Sequence, residues 1–411
     1  MPQLAKIKSY LFTSGSSRQV LVSAEGNFGL PLFYPNLYIS SAAIRHKPPN
    51  THKQILRSIM AAYAWGLREN FDFEHHLLSL GFLEEHTVGS LCDAMLLGYE
   101  HLINQAVRFA SLRDPELNTC PVVLLPPKTK AVAANTANQR LIYVFDYFVW
   151  LSNFAISKLE YGKRQEYKDR REEMEDLFKN YTWNKTPSSP TMPLSEESER
   201  FLFEAIHPGS PKNVWRPEAQ FRNYIILRLF IDTAIRRAEL LSYYVRDFER
   251  ENNILNLVKR VDDPADPRRD KPGVKTVGRS LRIEPKLSSL IQKYITEDRV
   301  KHKAARKHPF LFTSLQNGQP LSLAAVSKIV RALTAHQLLR DLSPHVLRHT
   351  WNDRFVRREQ ADGVDGKLIA ARQRRLCGWS MTSAMPITYT EEETQRRFVE
   401  LAEARQERYL K

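Results

Sequence analysis

The chain has 411 residues, more than one ordinary domain holds, and its 42% hydrophobic and 26% charged residues exclude a disordered polymer. A formal net charge of +15 points to a polyanionic partner. Three scattered cysteines, Cys92, Cys120 and Cys377, form neither a disulfide framework nor a metal-binding pair, and no apolar run reaches the roughly 18 residues of a membrane span.

The charge is unevenly spread. Residues 1–194 carry 21 Lys and Arg against 18 Asp and Glu, whereas 195–411 carry 40 against 28, so the electrostatic footprint belongs to the second half. The first twenty residues lack the long apolar region and small-residue cleavage site of a secretory signal. Together with the cysteine usage this predicts a soluble, cytoplasmic protein with no membrane partner.

Taken in chain order, residues 1–50 read as short strands and turns, because VLVSAEGNFGLPLFY sets a Gly-rich turn between β-branched and aromatic residues. From Thr51 the pattern turns helical: Ile55, Leu56, Ile59, Met60 and Tyr63 recur at the spacing of one buried face. Helices are expected over 71–80, 87–110, 136–159 and 160–179, with the Pro-rich stretch 113–135 as a loop. Residues 183–194, WNKTPSSPTMPL, read as a linker between a first domain, 51–182, and a second, 195–390. Ser195 is placed to cap the helix that follows, with Glu196 and Glu197 in its first turn. Segment 218–234 is apolar almost all round and predicts a central helix. Strands are expected at 253–260 and 279–284, and helices at 322–335, 343–358, 366–377 and 391–409. The fold class is therefore mainly α with small β elements.

Four stretches carry candidate chemistry, and each alone has a bland reading. In TAIRRAELL, 233–241, Arg236 follows the apolar helix, as a solvated arginine at a helix end would. In SPHVLRHTW, 343–351, Ser343 and Pro344 cap a helix, so His345 and Arg348 share a face near its positive end, where a phosphate oxygen is favoured. Lys275 precedes a strand in PGVKTVGRSLRIEP, and Lys259 and Lys271 compete with it for any role. Segment 376–390, LCGWSMTSAMPITYT, holds Trp379 and Tyr389, residue types more often used for packing.

The order of these stretches, Arg, Lys, His-x-x-Arg, Trp and Tyr, resembles the tyrosine recombinase, or phage integrase, family. Thr233, Arg236, Glu239 and Leu240 match its TGxRxxEL-like stretch. His345, Leu347, Arg348, His349 and Thr350 match HxLRHT, and Leu376, Gly378, Trp379 and Ser380 match LGHxS. Three positions depart from the pattern. Ala234 replaces the usual glycine, a backbone detail that threatens nothing catalytic. Trp379 stands where most members have histidine, and the connection 259–275 is longer than the family's tight turn.

The resemblance implies a helical core-binding domain that clamps DNA and an α+β catalytic domain that cuts and rejoins it through a 3′-phosphotyrosine link, without metal, ATP or other cofactor. Arg236 and Arg348 would bind the scissile phosphate through planar, paired donors. His345 would transfer a proton or donate to the phosphate, Trp379 would orient a phosphate oxygen, and Lys275 would protonate the leaving 5′-hydroxyl. Tyr389 would be the nucleophile. Lys128, Lys130, Arg140, Lys163 and Arg164 are candidate phosphate contacts in the first domain. The expected partners are double-stranded DNA and further copies of the chain, as a dimer or tetramer on DNA, in a cytoplasmic, nucleoid-associated setting. Residues 391–411 place Phe398, Leu401, Ala402 and Tyr409 on one helical face, suited to docking on a neighbouring protomer. A type IB topoisomerase, or a non-catalytic DNA-binding protein on the same scaffold, would share much of this pattern.

Overall fold

The computed structural model describes residues 5–11, 17–23, 29–113, 131–181, 192–260, 263–268, 271–274, 276–387 and 389. The chain divides near Ser188 into two compact units.

The first unit opens with an antiparallel hairpin, β1 (Ala5–Leu11) and β2 (Ser17–Ser23), in the register Ala5 to Ser23. Helix α1 (Phe33–Ser40) follows, in a segment whose aromatic content favours strand. Asn36 explains the difference. Its amide accepts from the Leu21 N–H at 2.9 Å and donates to the Leu21 carbonyl at 2.8 Å, so a side chain closes the ladder position that a third strand would fill.

Helix α2 (Pro49–Glu69) buries Ile55, Leu56, Ile59, Ala62 and Trp65 at helical spacing, as the sequence pattern requires. Packed with it are α3 (Phe73–Leu78), α4 (Glu85–Leu96), α5 (Tyr99–Arg113), α6 (Ala134–Ile156) and α7 (Arg164–Asn180). The single helix expected over 87–110 is two, because Leu97 turns extended (ψ 146°) before Gly98. In the core, Tyr63 and Tyr147 both donate their hydroxyls to Glu74. Burial raises the Glu74 carboxyl, against the two phenol hydrogen bonds.

The second unit centres on α9 (Pro217–Thr233), whose Ile225, Ile226, Leu229 and Phe230 are fully or almost fully buried. Helix α8 (Glu196–Ile206) precedes it, with Ser195 as its cap: the hydroxyl accepts from the Ser198 N–H at 3.1 Å. Short helix α10 (Arg237–Ser242) leads to an antiparallel sheet, β3 (Phe248–Glu249), β4 (Ile254–Leu257) and β5 (Arg279–Arg282), in that spatial order. Leu255, Leu257 and Leu281 face the core. After α11 (Pro285–Lys293) the chain runs through π and 3₁₀ turns to Lys307, which the sequence pattern did not suggest. Helices α12 (Leu323–Ala332), α13 (Pro344–Ala361) and α14 (Gly366–Cys377) follow, and residues 385–387 and 389 are again helical.

The long connection between β4 and β5 is tied down at several points. Arg260 forms a bidentate pair with Asp247 at 2.7 and 2.9 Å. Arg268 pairs with buried Asp266 at 2.8 Å and donates to the carbonyls of Leu321 (2.8 Å) and Leu241 (3.1 Å). Removing one partner of a buried pair strands the other charge in a low-dielectric interior. Arg268→Met should therefore lower stability by about 3 kcal/mol, and adding Asp266→Leu should recover part of the loss. Denaturant midpoints of the full chain, compared for the single and double variants, check this.

Candidate active site

Arg236 owes its position to the end of α9. The helix stops at Thr233, and Ala234 adopts the left-handed region at φ 52°, which costs an L-residue roughly 1–2 kcal/mol. The chain thereby reverses so that Arg236 becomes the cap of α10. Its N–H donates to Glu239 Oε2 at 2.9 Å and its guanidinium to Glu239 Oε1 at 3.3 Å. The Ala234 carbonyl accepts from the Arg348 guanidinium.

Arg348 and His345 come from the start of α13, where the Ser343 hydroxyl accepts from the Val346 N–H at 3.1 Å and Pro344 fills the first helical position. Arg348 is buried and His345 exposed, one turn nearer the helix start.

The two arginines meet at the far end of α14. That helix closes with Gly378 in the left-handed region, the Trp379 N–H bonding to Arg374 O at 2.9 Å and the Gly378 N–H to Arg375 O at 3.3 Å. This closure leaves the carbonyls of Leu376 and Cys377 to find other partners at the negative end of the helix dipole. Arg236 Nη1 (3.3 Å) and Arg348 Nη2 (3.1 Å) both donate to Cys377 O, and Arg279 Nε donates to Leu376 O at 2.7 Å. Glycine is required at 378 on steric grounds too, since a Cβ there would lie 2.5 Å from Arg279 Nη1.

Glu239 balances part of this charge. Only 1% exposed, it accepts from Arg236, from Arg279 Nη2 at 2.8 Å and from the Thr276 hydroxyl at 2.5 Å. Burial pushes its carboxyl up, but the Arg279 hydrogen bond and charge, with Thr276 and the Arg236 N–H, hold it below the ordinary carboxylate range.

Tyr389 and Trp379 complete the cluster. Their rings stack at 5.9 Å and 17°, both buried, with Ala234, Val356, Ile369 and Cys377 around them. The Arg348 guanidinium sits 5.2 Å from the Trp379 ring centroid, a cation–π distance. His349 lies between the two ends of the site: its ring is 5.1 Å from that of Tyr389, and its Nε2 is 3.0 Å from Nε2 of His345.

Five of the six residues singled out as catalytic, Arg236, His345, Arg348, Trp379 and Tyr389, thus gather in one unit. Lys275 and the segment 391–411 lie outside the described residues, as do Lys128 and Lys130. In the first unit, Arg140 donates to the carbonyls of Met95 (3.2 Å) and Leu97 (2.8 Å), and Arg164 is spent on those of Leu159 (2.8 Å) and Ser157 (3.1 Å). Lys163 is exposed on the short turn before α7. Sequence reasoning missed Arg279 and the contact of His349. Arg279 had a signal: two residues from Leu281 on one strand, it shares the inward face and needs a buried partner.

Residues 203–396 match the family model of the phage integrase family. No curated protein matches the sequence. Among solved structures the chain is similar to XerA recombinase, at 19% identity over 63% of this chain and 90% of that one, with a TM-score of 0.36. It is similar to XerH site-specific recombinase bound to palindromic difH substrate, at 16% identity, 76% and 82% coverage and a TM-score of 0.39. A third similarity is to the Tn1549 transposon integrase in complex with transposon right end DNA, at 15% identity, 74% and 94% coverage and a TM-score of 0.38.

The site also sets a pH dependence. Burial, then His345 and Arg348, push the His349 imidazole down to about 4. Burial, then Arg348 and Arg236, lower His345 as well. Below the ordinary value near 6.5 the unfolded chain takes up these protons before the folded one does. Stability is thus unaffected by His349 above pH about 6.5 and falls as pH drops toward 4, by up to about 3 kcal/mol. Denaturant midpoints between pH 7 and 4 should show a steeper loss for the unmodified chain than for His349→Gln.

Proposed function

We propose that the chain, whose residues 203–396 match the model of the phage integrase family, is a site-specific recombinase whose Tyr389 cuts and rejoins DNA through a covalent 3′-phosphotyrosine. The observation that carries this reading is the meeting of Arg236 and Arg348 at a single oxygen, Cys377 O, in the cluster that holds Trp379 and Tyr389.

Two guanidiniums aimed at one point suit the non-bridging oxygens of a phosphodiester, and they stabilise the charge that grows as a fifth oxygen approaches phosphorus. The phenol oxygen of Tyr389 forms the new bond to phosphorus as the bond to the 5′-oxygen breaks. Lys275 is the proposed donor of the proton that the leaving oxygen takes up. His345 serves as proton acceptor or as a donor to the phosphate. The reverse reaction with another 5′-hydroxyl reseals the strand, so no external energy source enters.

In the first unit, a cavity of about 730 Å³ is lined by Lys6, Lys53, Arg57, His101 and Arg140, with Glu100 as its one carboxylate among the described residues. That excess of positive charge supports contact with the DNA backbone, in line with the clamp expected of this unit. On DNA the chain acts as a dimer or tetramer, in the cytoplasm with the nucleoid.

Tyr389→Phe, with both arginines kept, should abolish every covalent protein–DNA adduct while leaving DNA affinity roughly unchanged, because affinity rests on phosphate contacts. The assay is adduct trapping on nicked duplexes of randomised sequence, with the trapped strands sequenced. An adduct formed by the Phe variant rules Tyr389 out as nucleophile. Lys53→Ala combined with Arg57→Ala should weaken binding across all sequences and flatten the dependence of log K on log salt by about 0.9 for each phosphate left without its cation. Titrations at several salt concentrations read that slope.

A further inference from the structure

His349 reaches two parts of the site without a role in the scheme above. Its Nε2 lies 3.0 Å from Nε2 of His345, one turn earlier on α13. Its ring is 5.1 Å from the Tyr389 ring. It is 8% exposed, and its Nδ1 is buried without a hydrogen-bond partner.

Two nitrogens at that distance share one hydrogen, and a neutral imidazole carries one proton in all. If His345 donated, His349 would keep its proton on Nδ1, leaving a buried N–H with no acceptor. If His349 donates, Nδ1 is a bare lone pair. Orphaned buried N–H groups are rarer in folded proteins than under-satisfied acceptors. The charged groups around the pair favour neutral rings as well: Arg348 lies on the same helix, and Arg236 bears on His345 from the cap of α10.

We propose that His349 is a positioning residue that fixes the tautomer of His345: it donates its Nε2–H to Nε2 of His345, which then carries its own proton on Nδ1. His345, exposed at the start of α13, offers an N–H to the scissile phosphate and has no lone pair left for the phenol. It works as a phosphate donor and not as the general base, so the proton of the Tyr389 phenol passes to solvent water as the new O–P bond forms. The inference about His345 in catalysis rests on the recombinase reading; the tautomer does not.

The test has two arms. In the first, ¹⁵N NMR of the full chain labelled at histidine reads the tautomer of His345 without DNA. The expected result is a protonated Nδ1 and an unprotonated Nε2; a protonated Nε2 overturns the proposal. In the second, single-turnover cleavage is measured on a nicked duplex selected as above, for His349→Leu and His349→Gln. Glutamine keeps an N–H donor and should stay close to the unmodified rate. Leucine should lose about tenfold or more, the direction seen wherever a catalytic histidine loses the group that orients it. Equal rates for the two variants, both folded by circular dichroism, also overturn it. Failure of the unmodified chain to form any adduct would instead count against the recombinase reading, and the NMR arm would still report on the histidine pair.

Discussion

Three guanidinium groups are held against the end of one helix by two backbone carbonyls and a single buried carboxylate. Arg236, Arg279 and Arg348 would repel one another in a low-dielectric pocket. Leu376 O and Cys377 O, left over by the closure at Gly378, give them neutral acceptors, and Glu239 supplies one negative charge. The charges do not balance: among the described residues three cations face one anion. Burial first, and then the neighbouring positive charges, lower both His345 and His349.

Much of this was legible in the sequence, and the legible parts share a cause. Where a cap marks the start, as at Ser195 and Ser343, or a periodic apolar face marks the run, as in α2, local chemistry and packing agree, and the elements stand within a few residues of expectation. The departures come where a tertiary contact decides. Asn36 reaches back to Leu21 and turns an aromatic, strand-like segment into α1. Arg140, reaching from α6 to the carbonyls of Met95 and Leu97, holds the extended Leu97 that splits one amphipathic run into α4 and α5.

The site divides along the same line. Arg236, His345, Arg348, Trp379 and Tyr389 were visible because residue types and their order carry a resemblance. Their supports were not. Cys377 acts through its carbonyl, which no residue-type pattern records, and Ala234 does the same. Thr276 and Arg279 meet Glu239 only because β5 is pinned beside α10. That placement depends on the connection after β4, where Arg260 and Arg268 are committed to Asp247, Asp266 and main-chain carbonyls.

The closure of α14 gives the molecule an unusual failure mode. One glycine fixes where that helix stops, and the last two peptide groups it exposes are anchor points for all three cations. If the final turn unwinds, the anchors scatter together, and Trp379, the next residue, loses its seat against Arg348 and Tyr389 in the same motion. The end of α14 thus couples the arginine cluster to the Trp379–Tyr389 pair.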